Sequence, residues 1–487
     1  MSVVPEIRVR AANGLTIRTD GEFVLYWMIA TRRATWNFGL QRAVEWATKL
    51  NKPLLVFEPL RAGYQWASDR IHRFVIDGMQ DNAAAFAKHN VAYFPYVEPE
   101  LDADKGLLAA LAHRACVVVT DEFPCLFLPR MVTSAAGRLP VLVEAVDSNG
   151  LLPLRAASQV FVTALSFRSF LQKNLKPHLD NMPLPDPLAG TCLPRLKGLP
   201  EEITQRWPAA SAELLAGDNS GLVRMPIDHS VGVVATRGGS VAARMAMQDF
   251  LDRRLTRYEE DGNHPDHDVR SGLSPYLHFG HISAHEVFHH LMLSQEWHPE
   301  LLKKNGGRRG WWGVSDTAES FLDELVIWRE LGYVFSSQRE DYDQFDSLPT
   351  WAQATLDEHA SDPREHLYSL AEFESAATHD RVWNAAQTQL LREGRIHNYL
   401  RMLWGKKILE WSRTPREALD VMIELNNKYA LDGRNPNSYS GIFWVLGRFD
   451  RPWGPVRPIF GSIRYMSSDN TVRKLQIKDY LRRYSSS

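Results

Sequence analysis

The sequence predicts an N-terminal α/β domain on a doubly wound, Rossmann-like parallel sheet, followed by an all-α domain. Three observations predict it. A chain of 487 residues exceeds what one hydrophobic core usually supports. In the first third, short apolar runs alternate with amphipathic stretches, the pattern of a parallel sheet covered by crossover helices. From about residue 240 the periodicity is almost wholly helical, and ten of the fifteen tryptophans lie after residue 290. The expected division is 20–150 for the α/β domain, 151–235 for an inter-domain linker and 236–487 for the helical domain.

Phe23–Met28, Pro53–Phe57, Val91–Val97, Cys116–Thr120 and Pro140–Val146 read as buried strands. Leu40–Leu50, Ser68–His89 and Leu107–Arg114 between them carry helical periodicity. No Gly-x-Gly-x-x-Gly turn follows the first strand, so the usual dinucleotide fingerprint is missing and this domain need not hold the main cofactor. Met182–Pro200, rich in proline and glycine, reads as a linker draped over the surface.

Composition is that of an ordinary soluble globular protein, with 44% hydrophobic and 23% charged residues. A net charge of -2 offers no global attraction to nucleic acid, so any such site must be a local patch. The segment from Arg451 to Ser487 supplies one: eight basic residues stand against Asp469 and Asp479. Cys116, Cys125 and Cys192 show no metal-ligand spacing, which argues against a structural zinc site or a disulfide scaffold and fits a reducing compartment. With no N-terminal signal and no apolar run of membrane-spanning length, the expected location is the cytoplasm.

Chemistry concentrates in the helical half. Val382–Trp411 sets Trp383, Trp404 and Trp411 around Asn398, Arg401 and Met402. On a helix Trp404 and Trp411 share a face, with Arg401 one turn before Trp404. Indoles are easily oxidised, so such a series can pass single electrons outward; core packing is the default meaning of the same spacing. Ser271–Gly280 (SGLSPYLHFG) offers hydroxyls and backbone N–H groups to a phosphate, or a serine N-cap ahead of proline. In Phe321–Tyr333, helical spacing places Glu324 and Trp328 one turn apart, a carboxylate beside an indole. Leu425–Gly441 reads as a polar, turn-rich loop carrying Asn426 and Asp432, within reach of Arg401.

SGLSPYLHFG, ELVIWREL, THDRVWNAAQ, HNYLRMLWGKKILEW, LDGRNPNSYSG and RFDRPWG followed by GSIRYMS occur in this order. Together they resemble the class II cyclobutane pyrimidine dimer photolyases of the photolyase/cryptochrome superfamily, densely from about Tyr258 to Tyr480. The resemblance implies light-driven repair of UV-damaged DNA by a monomer holding a U-shaped FAD, active as FADH⁻, in the helical domain. Tyr258, Ser271, Leu273 and Ser274 would hold the phosphate and ribitol region. Arg401 and Asp432 would pair beside the isoalloxazine, with Asn426 facing its N5. Trp404 would be the flavin-proximal tryptophan, Trp383 the middle one and Trp411 the exposed end of the photoreduction chain. Glu324 would hydrogen-bond the damaged bases, against which Trp328, Met402 and Trp444 pack. Arg451, Trp453 and Arg464 would fill or flank the gap left in the duplex.

The physical demands of that reaction agree. A dimer sits in the base stack, so repair needs extrusion into a pocket, and a poorly stacked step opens at lower cost. Aromatic walls hold such a lesion without demanding a sequence. The N-terminal region departs from the family: Asn37 and Leu40 are kept, but Trp36 stands where Asp is usual, and Val117–Leu126 lacks the expected Asp-Phe-Ser-Pro. An 8-hydroxydeazaflavin-like antenna chromophore and no antenna at all both stay open. The competing readings are a cryptochrome-like photosensor, which need not keep Glu324, Trp328, Met402 and Trp444 together, and a flavin-containing nucleic-acid-binding module without turnover. Repair of 6-4 photoproducts is the variant that His397 suggests.

Overall fold

The computed structural model describes residues 3–304 and 306–485. Its contacts divide the chain into two compact units that interleave in sequence. The first comprises Met1–Ala157, Asn174–Gln248 and Gly272–Glu296; the second comprises Ser158–Lys173, Asp249–Ser271 and Trp297–Ser487. The expected succession 20–150, 151–235 and 236–487 cuts the chain differently. Most of 151–235 packs as part of the first unit, because Leu188 and Leu193 of the proline-rich stretch lie in its core.

The first unit is built on β1 (Val9–Ala11), β2 (Phe23–Trp27), β3 (Leu54–Leu60), β4 (Val91–Val97), β5 (Ala115–Asp121) and β6 (Val143–Val146). They form one sheet in the order β1-β6-β5-β2-β3-β4. β2 to β6 pair in parallel, as read from the sequence. β1 runs antiparallel to β6, with Val9 opposite Val146, and corrects the all-parallel expectation. Three residues long and largely exposed, β1 offers no alternation to read.

Burial on both faces explains the unbroken apolar runs of the parallel strands. Phe23, Leu25 and Trp27 of β2 join one core with α3 (Leu107–Ala112) and α4 (Leu128–Ala136). Val24 and Tyr26 join the other with α1 (Phe38–Leu50) and Phe86 of α2 (Asp69–Phe86). α1 begins where Asn37 accepts the Leu40 N–H at 2.9 Å. The strand order reverses between β2 and β5. There the Asp121 carboxylate accepts the N–H groups of Ile29, Ala30 and Thr31 at 2.8–2.9 Å and the Tyr26 hydroxyl at 2.6 Å. The same unit holds α5 (Ser274–His278) and α6 (Ala284–Ser294).

In the second unit, α7 (Asp316–Leu322) runs into a π-helical turn, Asp323–Trp328, and on into α8 (Arg329–Gln338). α9 (Arg381–Glu393) starts at Asp380, whose carboxylate accepts the Val382 and Trp383 N–H groups, and ends at Gly394 with φ 69°. α10 (Asn398–Trp411), α11 (Pro415–Tyr429) and α12 (Pro436–Val445) complete the core around Trp383, Trp404, Leu403, Met422 and Phe443. α10 crosses α12 closely at Gly405, where a Cβ would stand 2.6 Å from Cγ2 of Val445. Among the described residues no helix is long and apolar enough to cross a membrane.

Candidate functional site

The three tryptophans of the sequence form a continuous file in the second unit. Trp404 and Trp383 lie nearly parallel, ring centroids 6.4 Å apart at 5°, and Trp383 meets Trp411 at 6.2 Å and 68°. α10 carries Trp404 and Trp411, and α9 inserts Trp383 between them. The Trp383 indole N–H donates to the Trp404 carbonyl at 3.0 Å. That of Trp404 donates to Oε1 of the buried Gln387 at 2.9 Å. Trp411 was expected at the exposed end, yet it is only 3% exposed. Tyr368 and His379 cover it, with centroids 5.7 and 5.0 Å from its ring.

Arg401, one turn before Trp404, donates through Nη2 to both Asp432 oxygens at 3.0 and 3.1 Å. Both side chains are largely buried, at 19% and 12% exposure. The loop bearing Asp432 is tied to α11: Asn427 Oδ1 accepts the Arg434 N–H at 2.7 Å, and Arg434 Nη2 reaches the Ala430 carbonyl at 3.0 Å. Asn426 does not lie in that loop, as the sequence suggested. It sits buried in the last turns of α11, with Nδ2 donating to Ser438 Oγ at 2.7 Å. Its polar neighbours satisfy one another inside a helix, so local composition imitates a turn.

Glu324 opens onto a cavity of about 210 Å³ lined also by Tyr258, Asn263, Arg270, Arg308 and Arg309. The protein around its carboxyl raises its pKa by burial, with Arg270 opposing and Asp323 adding to the rise. Glu324 and Trp328 lie four residues apart on the π-helical turn, which still places them on one face about one turn apart. The Arg270 Nη1 donates to the Tyr258 hydroxyl at 2.8 Å, and burial pushes that phenol up to about 12. Nε of Arg270 and Nε of Arg401 are buried without a hydrogen-bond partner. Two cations presenting unsatisfied donors fit an anionic, carbonyl-rich cofactor.

One of the boundaries between the units falls between Ser271 and Gly272. Tyr258 and Ser271 therefore belong to the helical unit, and Leu273 and Ser274 to the sheet-bearing one. Ser274 is the first residue of α5, with Leu273 at the N-cap, so the serine does not cap the helix.

Cations and indoles alternate beside α12. Arg464 lies 5.6 Å from the Trp444 centroid and 4.0 Å from that of Trp453, which Arg451 approaches at 4.4 Å. Asp450 anchors them, accepting the Trp453 indole N–H at 3.1 Å and standing 3.4 Å from Arg464 Nε. Met402 faces the same helix, its Cε 3.9 Å from where a Cβ on Gly441 would stand. Gln387, Arg270, Asp450 and Lys406 were not singled out from the sequence. Three of them lie inside quoted motifs, WNAAQ, RFDRPWG and GKKILEW, but only the tertiary contacts distinguish them from helix surface.

No family model matches the chain. It is 35% identical over 98% of its length to a deoxyribodipyrimidine photo-lyase of Methanothermobacter thermautotrophicus, covering 97% of that protein. It is 32% identical to proteins of the same name from Potorous tridactylus and Oryza sativa, over 96% and 94% of this chain and 82% and 86% of theirs. Among solved structures, a class III photolyase from Agrobacterium tumefaciens matches with TM-score 0.69 at 18% identity, over 95% of this chain and 86% of that one. A Synechocystis cryptochrome matches with TM-score 0.65 at 14% identity, over 95% and 88%.

Proposed function

The chain belongs to the deoxyribodipyrimidine photo-lyase family, and on that premise we propose that it is a class II enzyme repairing cyclobutane pyrimidine dimers in DNA by light-driven electron transfer. The observation that carries the electron-transfer part is the continuous file Trp404, Trp383, Trp411, with the Arg401–Asp432 pair one turn from its inner member. FAD, the cofactor of this family, supplies when bound and fully reduced the photoexcited electron that opens the cyclobutane ring.

The protein's part is binding, orientation and exclusion of water. Within the helical unit, Tyr258 with Arg270, Ser271, and Arg401 held by Asp432 would offer donors to the cofactor. Asn426, pinned by Ser438, presents a fixed amide. Glu324, facing the cavity, would hydrogen-bond the extruded dimer. Trp328, Met402 and Trp444 form the apolar wall against the lesion. Arg451, Trp453 and Arg464 engage the duplex at the gap, which ties the activity to the compartment that holds DNA.

His397, the residue that would suggest the 6-4 variant, is the weaker basis for a proposal. Burial, with Arg270 adding to the effect, pushes its ring down to about 3, which favours the neutral imidazole over the imidazolium that proton donation to a lesion would use. The decisive experiment is repair of a dimer-containing thymine oligonucleotide by the photoreduced protein under blue or near-UV light, with a dark control. Light-dependent recovery of intact thymines is expected. No recovery with FAD bound and photoreducible overturns the repair reading in favour of a photosensor.

A further inference from the structure

Lys406 is fully buried on α10, at 0% exposure. Gly405 beside it lets α10 approach α12 closely, and Nζ of Lys406 donates to the Val445 carbonyl at 2.5 Å. Val445 is the last residue of α12, where terminal carbonyls lack intrahelical partners and carry the negative end of the helix dipole. The same ammonium lies 5.0 Å from the Trp444 ring centroid. Lys406, Trp444, Arg464, Trp453 and Arg451 therefore form a chain of alternating cations and indoles running from the buried interior to the exposed Arg451.

Burying a lysine is costly when an apolar side chain of similar length fills the same space. The charged groups acting on it are Asp450, which favours its charge, and Arg464, which opposes it. Lys407, its neighbour on α10, is engaged with Glu410 at 2.6 Å. We propose that Lys406 is a buried positioning cation that seats Trp444 and, through Arg464, Trp453 for the arrival of damaged DNA, and that DNA phosphate near Arg464 and Arg451 draws a proton onto it. The inference rests on the DNA-repair reading. Burial, the largest effect, pushes the ammonium down to about 7, so in the free protein its charge changes in the neutral range. Phosphate that neutralises Arg464 removes the like-charge repulsion across Trp444 and raises the proton affinity of Lys406.

The test is calorimetric titration of the full-length, FAD-loaded protein with a duplex containing one thymine dimer, in two buffers of different ionisation enthalpy at pH 7.5. Wild type is expected to take up on the order of half a proton per DNA bound, and to bind about tenfold more weakly at pH 9 than at pH 7. Lys406→Arg, charged at every pH, is expected to bind without that uptake and without that pH dependence. Lys406→Met is expected to lose affinity while repair yield at saturating DNA is kept, a split that a merely structural role does not produce. Wild-type binding with no proton uptake, or equal uptake in the Arg variant, overturns the proposal. If the Met variant fails to retain FAD, the wild-type and Arg data decide alone. Failure of wild type to prefer the dimer duplex over an undamaged one counts against the repair reading instead.

Discussion

Gly405→Ala tests the crossing that brings α10 onto α12. The added Cβ would meet Val445 Cγ2 at 2.6 Å, Met422 Sδ at 3.1 Å and Val445 Cγ1 at 3.3 Å. Met422 is flexible enough to give way, but Val445 is β-branched, 2% exposed and held to one rotamer within its helix. Overpacking of this kind costs about 1–3 kcal/mol, and replacing a helical glycine by alanine returns about 1 kcal/mol. The net expectation is a loss of about 0–2 kcal/mol. Val445→Ala alone opens a small cavity and costs about 1–2 kcal/mol. The double variant should lose less than the two singles together, by about 1–3 kcal/mol, because the new methyl occupies the space the valine left. Urea unfolding of the helical unit, followed by release of FAD fluorescence, measures all three. Additive losses in the double variant would refute the close-contact argument. DNA affinity should follow the same rescue, since Lys406 takes its place from this crossing.

Trp383→Phe should abolish steady photoreduction of bound flavin while leaving dimer binding and repair by chemically reduced protein intact, because it removes the indole between Trp404 and Trp411; flash photolysis and a repair assay separate the two. In wild type, repair yield at saturating DNA should fall as pH rises through the raised pKa of Glu324, since the carboxyl is neutral below that value and ionised above it. Glu324→Gln should flatten that profile, and Glu324→Ala should lower the yield at every pH with little loss of lesion binding; a wild-type profile shared by the Gln variant would remove Glu324 from the role. Arg464→Ala should reduce the slope of log affinity against log salt by about one and weaken dimer and undamaged duplexes alike.

The strands were readable because each is buried on both faces, which writes an unbroken apolar run into the sequence. β1 was not, since three half-exposed residues carry no periodicity and pair only because β6 leaves an open edge. The π-helical turn at Asp323–Trp328 was equally hidden, since its side-chain types suit an α-helix. Asn426 was placed in a loop because polar residues cluster there, although hydrogen bonds to Ser438 and Asn427 keep it inside α11.

By itself the sequence determined the two classes of architecture and the family. Those properties depend on periodicity and ordered motifs, both local in the chain. Tertiary structure alone decided that Trp383 stands between Trp404 and Trp411, that Trp411 is covered by Tyr368 and His379, and that a buried lysine abuts Trp444. Each of these joins residues from different helices or loops. Their distances are set by how the helices cross, at points such as Gly405 and Val445, and no local pattern records a crossing.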